Sequence, residues 1–82
     1  MRPAANVIFK AVGEELVLLD LERGIYYGLD PVGARMWQLL ASGSSFDAVI
    51  ETMLTEYDVA REQLQADLER LTKELRERGL LV

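Results

Sequence analysis

The stretch Gly24-Ile25-Tyr26-Tyr27-Gly28-Leu29-Asp30-Pro31-Val32-Gly33 limits what this chain can fold into more than any other. Ile25 to Leu29 carry β-branched and aromatic side chains, which suit a pleated, half-buried strand. Asp30-Pro31 then switches the chain to helix. Asp is a good N-cap, and Pro at the first helical position gives up only an N–H that has no intrahelical partner. Strand candidates lie before this point and helical patterns after it. If Ile25–Leu29 is the last strand of its sheet, it has a free edge beside the helices.

The rest of the chain reads outward from there. Val7–Val12 is a first strand, closed by a turn at Gly13-Glu14. Glu15–Leu21 is a second strand, and its nearly continuous apolar run predicts a central position covered on both faces. Asp20-Leu21-Glu22-Arg23-Gly24 supplies turn chemistry, with Gly24 suited to a positive φ. Alternation along the third strand puts Ile25, Tyr27 and Leu29 on one face, expected to be the core, and Tyr26 on the other. A first helix is predicted over Pro31–Ala41, with Val32, Met36, Trp37, Leu39 and Leu40 as its apolar face and Gly43 as its stop. A second opens with a capping-box spacing, Ser44 to Asp47, and carries Phe46, Val49, Ile50, Met53, Leu54 and Tyr57 on one stripe. The third and longest, Ala60–Arg78, repeats Leu64, Leu68, Leu71 and Leu75 and ends at Gly79, after which Leu80-Leu81-Val82 can fold back as an apolar tail.

The order β-β-β-α-α-α predicts an α+β fold in one domain, residues 1–82: a winged-helix-like arrangement of a three-stranded antiparallel sheet followed by three helices. At 82 residues the core must be efficient, since a chain this size buries only about 60–65% of its unfolded surface. The chain has no cysteine and no histidine, so it lacks a thiolate nucleophile, a disulfide, the commonest general base and the commonest metal ligand. No catalytic residue, metal or cofactor is expected. Nine Lys and Arg against 14 Asp and Glu give a net charge of −5, which works against phosphate binding. A winged-helix DNA-binding regulator remains the rival from another class. Its third helix carries Arg61, Arg70, Lys73, Arg76 and Arg78, but Glu62, Asp67, Glu69, Glu74 and Glu77 balance them and leave no basic recognition face. No apolar run is long enough to span a bilayer, and the N-terminus lacks a signal-peptide core. A cytoplasmic monomer without membrane or nucleic-acid partners is the expectation.

What remains is a binding surface. A strand edge offers unpaired N–H and C=O groups onto which an extended peptide can add as a further strand. Ile25–Leu29 contains no proline to block such pairing, and the third helix can lie alongside to form an apolar groove. The same residues also suit the plain core hairpin and core helix of a small domain.

Leu18-Leu19-Asp20, the stretch Gly24 to Gly33, Trp37-Gln38-Leu39-Leu40 and the ending Leu75-Arg76-Glu77-Arg78-Gly79-Leu80-Leu81 resemble the PqqD-like family, over roughly residues 7–82. More narrowly, they are similar to the stand-alone RiPP recognition elements of lasso-peptide biosynthesis. The resemblance implies a non-catalytic adaptor. In that family the leader region of a ribosomally made precursor pairs with strand 3 in a cleft against helix 3. In lasso systems a leader Tyr-x-x-Pro element enters an apolar pocket, and the leader is presented to a separate cysteine-protease-like peptidase and a cyclase. PqqD itself, which presents a precursor to a radical-SAM enzyme, is the near alternative. Carried over, the resemblance gives Ile25, Tyr26, Tyr27, Gly28 and Leu29 as the pairing strand. Leu64, Asp67, Leu68 and Leu71 become the groove wall, with Arg70 and Glu74 flanking. Asp67 is expected to accept a hydrogen bond from the leader tyrosine. Alternation does not say which of Tyr26 and Tyr27 faces the groove.

Overall fold

The computed structural model describes residues 1–82. Its elements are β1 (Val7–Val12), β2 (Glu15–Asp20), β3 (Ile25–Leu29), α1 (Pro31–Ala41), α2 (Phe46–Glu56) and α3 (Arg61–Glu77). The strands form an antiparallel meander in the order β1-β2-β3, which leaves β3 with one free edge. The α+β fold expected from the sequence is present, with boundaries within a few residues.

The helix ends follow local chemistry. Asp30 caps α1 by accepting from the Gly33 N–H at 2.8 Å, with Pro31 in the first turn. The α2 cap is Ser45, whose side chain accepts from the Ala48 N–H. The capping-box spacing from Ser44 to Asp47 predicts Ser44 in this role. Adjacent serines offer the same acceptor, and only backbone geometry selects between them. At the end of α3, Gly79 takes φ 74° while its N–H donates to the Arg76 carbonyl and that of Leu80 to Leu75. This double bond pattern satisfies the last carbonyls, as a Schellman ending does. The apolar tail then folds back: Arg2 and Val82 exchange backbone hydrogen bonds at 2.8 Å, and Ala4 donates to Leu80.

The helices cover one face of the sheet. Leu16 and Leu18 of β2 and Leu29 of β3 meet Met36, Trp37 and Leu40 of α1, Val49, Ile50 and Met53 of α2, and Leu64, Leu68 and Leu75 of α3 in a single core. Burial along β2 alternates, with Leu16, Leu18 and Asp20 buried. The expectation that both faces of β2 are covered is therefore corrected. Val17 and Leu19 point to the opposite face, which carries no helix and exposes Ile8, Val12 and Tyr26 as well.

A fixed corner sets β3 against α3. Oδ1 of the buried Asp20 accepts from Asn6 Nδ2 at 2.7 Å and from the N–H groups of Glu22 and Arg23 at 3.0 and 3.1 Å. The Arg23 N–H, most of all, holds this carboxyl below its ordinary value of 3.8 despite burial. Arg23 in turn donates to the Arg78 carbonyl at 2.9 Å, tying the β2–β3 loop to the end of α3.

Candidate functional site

The free edge of β3 can be read residue by residue. Val12 and Glu15 face each other across a two-residue turn, so they form a hydrogen-bonded pair. Alternation then makes Glu15, Val17 and Leu19 bond to β1, and Leu16, Leu18 and Asp20 bond to β3. Their partners on β3 are Leu29, Tyr27 and Ile25. The N–H and C=O groups of Tyr26 and Gly28 therefore point away from the sheet. These are the groups an added strand would meet.

Beside this edge runs a cleft of about 360 Å³, because α1 packs closely on β2 and β3 while α3 packs on the other helices. Tyr27, Gly28 and Leu29 of β3 form one side, and Asp67, Arg70, Leu71 and Glu74 of α3 the other. Asp30, Val32, Gly33 and Met36 form the floor at the start of α1. At Gly33 the floor comes close to the Asp30 cap. A Cβ there would lie 3.2 Å from Asp30 Oδ1, closer than side chains ordinarily approach, and in ordinary contact with Leu29 at 3.5 Å.

The chemistry of the cleft is mixed. Tyr27 is half-buried, with the Arg78 guanidinium 5.0 Å from its ring centroid, a cation–π distance. Burial first, and then the neighbouring Glu74 carboxylate, push the Tyr27 hydroxyl above its ordinary value of 10.0. Asp67 Oδ1 accepts from Gln63 at 2.9 Å and from Arg70 at 2.8 Å, which fixes the carboxylate and leaves Oδ2 without a partner in the chain. Leu71 supplies the apolar wall.

The structure brings together Tyr27, Gly28, Leu29, Asp67, Arg70, Leu71 and Glu74 of the residues expected from the sequence. Leu64 and Leu68, expected at the groove wall, are 2% and 0% accessible and lie in the core instead. Both belong to the core cluster, whereas Leu71, only partly buried, packs against its margin. Ile25 is at the mouth of the loop and 43% exposed, so the core face of β3 is complete only at Leu29. Tyr26, 77% exposed, points to the face opposite the helices and leaves Tyr27 as the cleft tyrosine. Asp30, Val32, Gly33 and Met36 were missed. The signal for them was the apolar spacing Val32–Met36 directly after the strand, which puts one turn of α1 against the end of β3.

Five of the nine cationic side chains are held in ion pairs, Arg23 with Asp20 among them. Arg35, Arg61, Arg70 and Arg78 each pair with a carboxylate, Glu56, Glu51, Asp67 and Glu74 in turn. No group of His, Cys, Asp and Glu is arranged to hold a metal ion. No helix is long and apolar enough to cross a membrane.

Residues 15–81 match the family described as Coenzyme PQQ synthesis protein D (PqqD). Among solved structures, TbiB1 in complex with the TbiA(beta) leader peptide is 34% identical, with a TM-score of 0.93 over 99% of this chain and 94% of that one. A lasso peptide synthetase B1 complexed with the leader peptide is 28% identical, with a TM-score of 0.90 over 99% and 95%. No curated protein matches the chain.

Proposed function

The chain belongs to the PqqD family, and from that premise we propose that it is a non-catalytic adaptor for the leader region of a ribosomally made precursor peptide. The leader adds as a fourth strand to β3 and lays side chains into the cleft against α3. The observation that carries this reading is the coincidence of two features: the outward N–H and C=O groups of Tyr26 and Gly28 border a cleft floored by Val32 and Met36 and walled by Leu71. Main-chain pairing supplies affinity at such an edge, and pockets for alternate side chains supply selectivity. Both structural neighbours hold leader peptides, and one is a lasso peptide synthetase component, which favours a lasso precursor over the radical-SAM substrate of PqqD itself.

Within this reading, Asp67 Oδ2 accepts a hydrogen bond from the leader tyrosine, and the peptide is handed to a separate leader peptidase and cyclase. The chain contributes recognition and no chemistry.

The test is a fluorescence-polarisation titration with a labelled leader peptide from the precursor gene beside this chain's own gene, at two salt concentrations. Saturable binding that changes little with salt and disappears when the leader tyrosine becomes alanine supports the adaptor. Absence of binding to the folded protein refutes it, and steep salt-dependent binding to duplex DNA in the parallel arm would replace it with the regulator. Asp67→Ala with unchanged leader affinity removes the role given to that carboxylate.

A further inference from the structure

Gly28 is one of the two residues whose backbone groups line the free edge, where a side chain is ordinarily worth having. Glycine in a strand interior weakens it and often marks a close approach by another chain. Nothing inside this protein asks for glycine there. Its φ lies outside the left-handed region, and a Cβ built on it meets no atom within 4 Å. Gly33 differs, since a Cβ there would crowd the Asp30 cap oxygen at 3.2 Å.

The position faces the open side of the sheet. Gly28 pairs with Val17 and Tyr26 with Leu19, and these two pairs share the face that carries no helix. Gly28 thus cuts a notch in the rim of that face. Through it the half-buried Val17 is reachable from the edge, with the ring of Tyr26 standing on one side. Neighbouring strands lie about 4.8 Å apart, so a residue added beside Gly28 sits two strand spacings, about 10 Å, from Val17. A large side chain lying flat across the notch spans that gap. A short one does not.

We propose that Gly28, Val17, Leu19 and Tyr26 form a second leader subsite, on the sheet face opposite the cleft, for one bulky apolar or aromatic side chain. The proposal rests on the strand-addition reading. An added strand alternates its side chains between the two faces, so residues flanking the cleft-bound ones must lie here. An aromatic laid across an edge glycine recovers the packing the glycine lacks. The subsite therefore reads a leader position that the cleft does not touch, and it fixes register, because a slip by one residue would bring a side chain of the wrong face onto the notch.

The experiment uses the full chain and the same labelled leader peptide, with Gly28→Ala and Gly28→Val measured for both thermal stability and leader affinity. Neither variant alters the backbone groups that pair, and both raise strand propensity, so melting temperature is expected to hold or rise. Leader affinity is expected to fall a few-fold for Gly28→Ala and about tenfold or more for Gly28→Val, because the added methyl groups take the space the leader side chain would fill. An alanine scan of the leader identifies the occupant: one apolar position whose truncation weakens binding to the wild-type chain but costs nothing further on Gly28→Ala. Wild-type affinity in Gly28→Val, or a scan fully additive with Gly28→Ala, overturns the subsite while leaving the adaptor reading intact. A wild-type chain that binds no leader overturns both.

Discussion

Leu68 and Leu71 lie three residues apart on α3, and the structure gives them different work. Leu68 is inaccessible in the core, while Leu71 is half-buried at the cleft. Truncating Leu68 to Ala removes buried methyl groups and leaves a cavity, at a cost of about 2–5 kcal/mol. A chain of 82 residues has a total stability of about 4–12 kcal/mol at ~0.05–0.15 kcal/mol per residue, so this is a large share of it. At about 4–8 °C per kcal/mol, a loss near 3 kcal/mol lowers the melting temperature by about 12–24 °C. Leu71→Ala removes side-chain area that solvent already reaches in part, and costs about 1 kcal/mol. Its larger effect is on binding: losing the apolar wall weakens the leader by about 1–2 kcal/mol, or roughly 5–30-fold. Urea unfolding followed by circular dichroism gives the first quantity, and fluorescence polarisation at a urea-free, folded temperature gives the second. Leu68→Ala is expected to bind nearly as wild type once corrected for the folded fraction. Equal stability losses in the two variants, or an unchanged leader affinity in Leu71→Ala, would refute the division of the stripe into core and wall.

Three further outcomes follow from the geometry. Amide exchange at Tyr26 and Gly28 is expected to be fast in the free chain and to slow on leader addition, while Ile25, Tyr27 and Leu29 are protected throughout; slow exchange at Tyr26 without leader contradicts the edge assignment. Glu74→Gln removes the carboxylate beside Tyr27, so the hydroxyl is expected to titrate at a lower pH than in wild type, closer to 10.0, in an ultraviolet titration. Because the folded-state value is raised, the stability linked to Tyr27 is complete below about pH 10 and is lost as pH rises beyond it. Asp20 runs the other way: its folded-state value is depressed, so its contribution is present above about pH 3.8 and drains as pH falls below. Asp20→Asn is expected to be less stable at neutral pH yet to show a flatter acid limb in thermal melts. A steeper acid limb would contradict the hydrogen-bond assignment.

The elements were legible in the sequence because their signals are local. Asp30-Pro31 caps α1 through its own side chain, and Gly79 ends α3 through its own φ. The cleft was legible only in part, since its membership depends on which face the helices cover. Alternation separates Tyr26 from Tyr27 but does not orient the pair; that requires the sheet to be covered on one side, with Leu16 and Leu18 inward. The four-leucine stripe of α3 is wide enough to serve core and cleft together, and the helix rotation that buries Leu68 and bares Leu71 comes from tertiary packing. Val32, Gly33 and Met36 escaped notice for the same reason: they become a floor only once α1 folds back across β3.

The open edge itself needs a cause, because exposed strand edges invite aggregation and proteins ordinarily blunt them. Here β3 is only five residues long, and Asp30 and Pro31 follow it directly. None of these devices covers the edge. α3 is long enough to do so, yet the Asp20–Arg23–Arg78 corner ties its C-terminal end to the β2–β3 loop, and the cleft stays open between them. Holding α3 and β3 apart leaves apolar surface and unpaired backbone exposed together, which is the arrangement the proposed strand addition draws on.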